Sequence, residues 1–114
     1  MSDRMRRVNE AVREVLSDAL TQDLKDPRVG FVTVTAVETS SDLRHATVFV
    51  SVLGDEEVRS ASLDGLQSAH GYLQRTVASQ LRLKHTPQLV FSEDDTARRA
   101  DRIERLLDGG IEPE

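Results

Sequence analysis

From Met5 the apolar side chains fall at Met5, Val8, Val12, Val15, Leu16, Ala19 and Leu20, the three-and-four spacing that sets one stripe along a helix. This predicts a helix to about Asp23, capped in its first turn by Ser2 or Asp3 and halted before Asp26-Pro27 and Gly30. Proline bars helical geometry in the residue that precedes it. Phe31 to Thr39 and Ala46 to Leu53 then alternate in polarity and are rich in β-branched residues, as half-buried strands are. Val32, Val34 and Ala36 are expected to share one face, as are Ala46, Val48, Val50 and Val52. The polar stretch Ser40 to His45 between the strands suits an antiparallel hairpin, one face of which has to be covered.

A second helical region opens at Gly54-Asp55-Glu56-Glu57, with Asp55 as its cap and the carboxylates set favourably against the helix dipole. Its stripe runs through Val58, Ala61, Leu66, Ala69, Leu73, Val77 and Leu81, interrupted near the middle by Gly71. A glycine inside a helix costs about 1 kcal/mol against alanine, so a kink is expected there. After Thr86-Pro87 comes a short strand, Leu89 to Phe91, and then a last helix from Asp94-Asp95-Thr96 through Ala100, Ile103, Leu106 and Leu107, ended by Gly109-Gly110. The resulting order is an α+β two-layer sandwich, with helices on one face of a three-stranded sheet. Residues 1–107 are expected to form one domain and residues 108–114 a flexible tail.

Composition narrows the chemistry. A chain of 114 residues fits one domain, and with three Phe, one Tyr and no Trp its core has to be aliphatic. The absence of Cys excludes disulfides, thiolate metal sites and cysteine nucleophiles. No apolar run approaches the roughly 20 residues of a membrane span, and the start reads as no signal peptide, so a cytoplasmic protein without membrane contact is expected. The net charge of −5 argues against a nucleic-acid partner until it is resolved along the chain. Residues 1–13 carry four Arg against Asp3 and Glu10, while residues 66–92 carry Arg75, Arg82 and Lys84 and no acid. If the fold joins these segments, they make one positive face on an acidic body.

Enzymatic signals are weak. His45, His70 and His85 lie in separate segments, with no Ser-His-Asp, HExxH or phosphate-cradling pattern around them. Glu93-Asp94-Asp95 lacks the alternating spacing of a calcium loop and sits where a helix start welcomes negative charge. No catalytic, metal or cofactor site and no small-molecule substrate are therefore expected. The glycines never form G-x-x-G, which removes the sequence signature of the ordinary KH clamp on single strands. Arg4, Arg6 and Arg7 crowd a helix start, where the dipole disfavours positive charge, and phosphate contact accounts for them better than local stability does. Arg75, Arg82, Lys84 and His85, in the acid-free stretch, are the other candidates for phosphate contact. The arginines near the C-terminus follow acids at four-residue spacing and read as a salt-laced exposed face. Phe49 faces away from Val48 and Val50 and is expected to pack at a sheet edge, not to stack bases.

Three runs carry a resemblance: Asp26-Pro27-Arg28-Val29-Gly30-Phe31-Val32-Thr33-Val34-Thr35, then Ser41 to Val52, then Leu81 to Phe91. In that succession the chain, over about residues 4–107, resembles the ribosome-binding factor A family. The resemblance implies a KH-type fold of the second topology, α-β-β-α-α-β, with a kinked helix pair. It also implies that residues 1–107 are a KH-like RNA-binding domain with a non-enzymatic role in the bacterial cytoplasm. There the protein, monomeric when free, would bind the small ribosomal subunit (30S) and its 16S rRNA, assist 5′-end processing during maturation and matter for growth in the cold. In that family an Ala-x-Gly kink between helices replaces the glycine loop, and Ala69-His70-Gly71 matches it. The competing reading is a protein-interaction module that acts without direct RNA contact.

Overall fold

The computed structural model describes residues 3–23 and 30–94 together with residues 96, 103, 104, 106 and 107, with the side chain of residue 23 excepted. Helix α1 (Asp3–Asp18) continues into a wider π-type turn (Ala19–Asp23). Strands β1 (Val32–Thr39) and β2 (His45–Val52) follow, then helices α2 (Glu56–Ser68) and α3 (His70–Gln80), and then strand β3 (Gln88–Glu93). β2 is the central strand, antiparallel to β1 and parallel to β3. The parallel pairing requires a crossover, which the α2–α3 pair supplies. The chain thus has the α+β KH-type sandwich of the second topology, with its helices on one face of the sheet. Among the described residues no helix is long and apolar enough to cross a membrane.

The core forms where the predicted stripes meet. Val12, Val15 and Leu16 of α1, Leu66 of α2, and Leu73 and Val77 of α3 pack with Ala46, Val48, Val50, Val52 and Leu89 of the sheet. Every one of these is aliphatic. Asp55 caps α2 by accepting from the Val58 N–H at 2.9 Å, and Glu56 and Glu57 fill the first turn.

Three expectations need correction, and a fourth falls mostly outside the described residues. In β1 the buried face does not run Val32, Val34, Ala36: a bulge after Val34 shifts the register, so that Val37 and Thr39 turn inward and Ala36 is only half buried. The extra residue, Thr35, points its hydroxyl between the Phe49 carbonyl (3.2 Å) and the Asp94 carboxylate (2.8 Å), as bulges that re-aim a side chain do. Phe49 lies on the central strand and not at an edge, half buried on the face away from the helices. The break between α2 and α3 falls at Ala69 (φ −87°, ψ 6°), inside the Ala69-His70-Gly71 kink but not at Gly71, where the glycine in the stripe had put it. Gly71 is helical and exposed, and a Cβ there would meet only the guanidinium of Arg75, at 3.3 Å. The final helix, predicted from residue 94 to residue 107, lies for the most part outside the described residues, as does the tail of residues 108–114.

β3 is an edge strand whose outward backbone groups would be open to pairing. α3 closes that edge with side chains: the Gln74 amide donates to the Pro87 carbonyl (2.7 Å) and accepts from the Leu89 N–H (3.0 Å). His70 Nε2 lies 2.9 Å from the Leu89 carbonyl oxygen, which can only accept, so Nε2 carries the proton. The His70 ring also meets Phe91 edge-on. His70 is therefore a half-buried structural residue, which its sequence neighbourhood gave no reason to expect.

Candidate nucleic-acid interface

Three segments distant in the chain converge at one end of the sheet. The hairpin loop between β1 and β2 is closed by the Ser40 N–H on the His45 carbonyl (2.8 Å) and the Leu43 N–H on the Ser40 carbonyl (2.9 Å). Inside it the Asp42 carboxylate accepts from the Ser40 hydroxyl (2.6 Å) and the Arg44 N–H (3.0 Å). These bonds, the Ser40 hydroxyl foremost and then the Arg44 amide, hold the Asp42 carboxyl below its ordinary range. Leu43 takes a left-handed φ of 61°, a conformation that costs a side-chain-bearing residue about 1 kcal/mol. The loop is therefore held in one shape, with Arg44 projecting at its end.

The segment between α3 and β3 is tied to that loop by the Gln88 N–H on the Arg44 carbonyl (2.8 Å), and Pro87 is buried beneath it. The start of α1 closes the third side. Together they enclose a groove of roughly 550 Å³ lined by Arg4, Val8, Asp42, Leu43, Arg44, Leu83, Lys84, His85, Thr86 and Pro87. Arg4, Arg44 and Lys84 are exposed, so their cationic ends are free to meet an anion. The apolar floor of Val8, Leu83 and Pro87 gives them a fixed base. Such an arrangement suits a folded polyanion, because the cations hold positions on a rigid surface and not on a mobile tail.

The two basic segments expected from the sequence thus meet in space, through Arg4 on one side and Lys84 and His85 on the other. Arg6, Arg7, Arg75 and Arg82 are exposed but do not line the groove. Arg6 is held by Asp3 at 2.6 Å on the helix surface. Arg75 stands on α3 beside Gly71, on a surface that also carries Tyr72. Arg44 is the groove residue that sequence reasoning missed. Charge averaged along the chain buried it in an acidic stretch, although it lies within one of the three family-like runs.

The acidic residues after β3 have other partners. Glu93 pairs with Arg59 of α2 at 3.1 Å, and Asp94 faces Thr35 and also accepts from the Thr96 N–H at 3.0 Å. Among the described residues no three His, Asp or Glu side chains converge as metal ligands would.

Comparison with known proteins gives the family and the fold. The profile of the family "Ribosome-binding factor A" matches residues 4–107. A ribosome-binding factor A of Anaeromyxobacter sp. (strain K) is 54% identical over 106 residues, covering 92% of this chain and 77% of that protein. A Thermotoga maritima protein solved by NMR superposes with a TM-score of 0.73 at 38% identity, covering 82% of this chain and 90% of the other. A homology model of Thermus thermophilus ribosome binding factor A, fitted into a cryo-EM map of a 30S complex with that factor, gives a TM-score of 0.62 at 26% identity. It covers 85% of this chain and 98% of that one. With its fold, the three runs of sequence and nearly its full length matched, the chain belongs to the ribosome-binding factor A family.

Proposed function

We propose that this protein binds the maturing small ribosomal subunit in the cytoplasm, docking the groove of Arg4, Arg44, Lys84 and His85 on phosphates of folded 16S rRNA. The observation that carries this is the convergence of cations from three segments on one rigid groove in a chain of net charge −5. An acidic body limits adhesion to arbitrary polyanions, so binding is confined to sites that fit the groove's shape. Arg7, Arg75 and Arg82 extend the contact beyond the groove. Gly71, with no side chain on an exposed helix start, lets a ribose-phosphate strand come close to the α3 backbone.

The protein makes or breaks no bond in this reading. By binding one conformation of the subunit better than others it raises that conformation's population, and 5′-end processing of 16S rRNA, carried out by nucleases, proceeds on the favoured form. The experiment is replacement of the resident protein by an Arg4→Glu/Lys84→Glu variant, followed by growth in the cold. The expected result is loss of the variant from small-subunit fractions and accumulation of 5′-extended 16S precursor. Normal co-sedimentation with normal 5′ ends would refute the assignment. A separate ribonuclease treatment before co-purification distinguishes RNA docking from a purely protein-mediated role, since it releases the protein only in the former case.

A further inference from the structure

Each of the three segments that form the groove brings a cation and, next to it or one helical turn away, an apolar side chain. The start of α1 supplies Arg4 and Val8, the hairpin loop Arg44 and Leu43, and the segment before β3 Lys84 and Leu83. Val8, Leu43 and Leu83 are half-buried, so part of each faces the groove. Phosphate contact accounts for the cations alone, because a phosphate gains nothing from an aliphatic wall. Leu43 moreover stands at a left-handed φ of 61°, where glycine or asparagine would hold the turn with less strain. The leucine therefore answers to the groove and not to the turn. At roughly 550 Å³, the groove falls within the range of about 300–1,000 Å³ found for clefts that hold small organic molecules.

A carboxylate stands among these cations. The two hydrogen bonds that Asp42 accepts within the loop, from the Ser40 hydroxyl and the Arg44 N–H, both fall on Oδ1. Its Oδ2 has no partner among the described residues. Toward a phosphate that oxygen is repulsive. Toward a nucleobase it is an acceptor for ring and amino N–H groups. Guanine is the base whose Watson–Crick edge sets two such donors side by side, N1–H and N2–H, whereas uracil flanks its one N–H with carbonyl oxygens that a carboxylate repels. Apolar walls, surrounding cations and one free acceptor together match a whole nucleotide: base face, base edge and phosphates.

We infer that the groove seats one unpaired guanine of an RNA strand. The base lies against Val8, Leu43 and Leu83, its N1–H and N2–H edge meets Asp42 Oδ2, and the flanking phosphates rest on Arg4, Arg44 and Lys84. This rests on the docking of the groove on rRNA proposed above, and adds that the contact is made at an unpaired position of the folded RNA. A paired guanine offers neither its face nor that edge. Once the guanine pairs, the groove loses its occupant, so the site tells a subunit whose strand is still open from one in which it has closed.

The test titrates the ¹⁵N-labelled full chain with short single-stranded RNAs that differ only at their central residue, which is guanine, uracil or an abasic ribose. Binding is read at the amides of Leu43, Arg44 and Leu83 to His85. The guanine strand is expected to bind about tenfold tighter than the abasic one, the worth of one stacked base, and tighter than the uracil strand. Asp42→Asn keeps an acceptor for Ser40 and Arg44 but puts an amide donor in place of the free oxygen, so it should erase the preference for guanine over uracil. Leu83→Ser should narrow the gap between the guanine and abasic strands. Each comparison is a ratio within one protein, so a general change of charge or stability cancels. Equal binding of guanine and abasic strands by the parent would overturn the proposal and leave docking on phosphates standing. A guanine preference that survives Asp42→Asn would overturn it as well, and so would groove amides that respond to none of the strands in a protein that still sediments with small subunits. Failure of the docking itself shows separately, as co-sedimentation unaffected by Arg4→Glu/Lys84→Glu.

Discussion

Gly54 takes a φ of +137°, and a Cβ there would stand 2.7 Å from a Val58 methyl. Both the backbone and the space exclude a side chain, so Gly54→Ala should cost about 2 kcal/mol and lower the melting temperature by roughly 10 °C. Gly71 is the opposite case. With a helical φ and only the tip of Arg75 near its missing Cβ, Gly71→Val should melt within about 2 °C of the parent, since surface changes away from special features are close to neutral. Its effect should fall on small-subunit binding, measured by co-sedimentation. A large loss of thermal stability would show that the glycine serves the helix break after all. Asp42 makes a pH prediction. Its carboxyl is held below its ordinary value of 3.8, so the unfolded chain takes up that proton at higher pH than the folded one does. The stabilisation is present above that value and is lost as the pH falls through the lowered folded value. Melting curves from pH 5 to pH 2 should therefore fall less steeply for Asp42→Asn than for the parent, and parallel curves would contradict the hydrogen bonding described for the loop.

The helices and strands were largely legible in the sequence because the core is built from periodic Val, Leu and Ala. The stripe of α1 and the alternation in β2 fell where the physics of one-sided burial puts them, and Asp55 marked the start of α2. What periodicity could not reveal are features made by side-chain hydrogen bonds between elements. The bulge at Thr35 is stabilised by Asp94, distant in the chain, and the inward turn of Thr39 depends on Asn9. The buried Asn9 carboxamide accepts from both the Thr39 N–H and its hydroxyl. The Gln74 clamp on β3 is of the same kind, since a glutamine on a helix looks in sequence like any solvated residue. Gln74→Leu would leave the Leu89 N–H unpaired at a cost of about 1–3 kcal/mol. Hydrogen exchange at the Leu89 amide should accelerate accordingly, and unchanged exchange would mean that another group protects that edge.

Two hollows of the described surface lie at opposite ends of the sheet and differ in charge. The cationic groove lies at the hairpin-loop end of the sheet, and the hollow bordered by Phe31, Leu53 and Asp94 lies at the other. Only part of this was readable beforehand. The segments containing Arg4 and Lys84 stood out by their lack of acids, whereas Arg44 came into view only when a backbone bond joined its loop to Gln88. The exposed arginines that do not line the groove show the limit of reading charge along a chain, because segment charge cannot tell which side of a helix a cation occupies.

The most direct measurement is the salt dependence of binding to purified small subunits for the parent and for Arg4→Gln/Arg44→Gln/Lys84→Gln. If these three side chains neutralise rRNA phosphates, the log–log slope should become less negative by about 2–3, while Arg6→Gln, already paired with Asp3, should leave it nearly unchanged. Equal slopes for the parent and the triple variant would contradict the account.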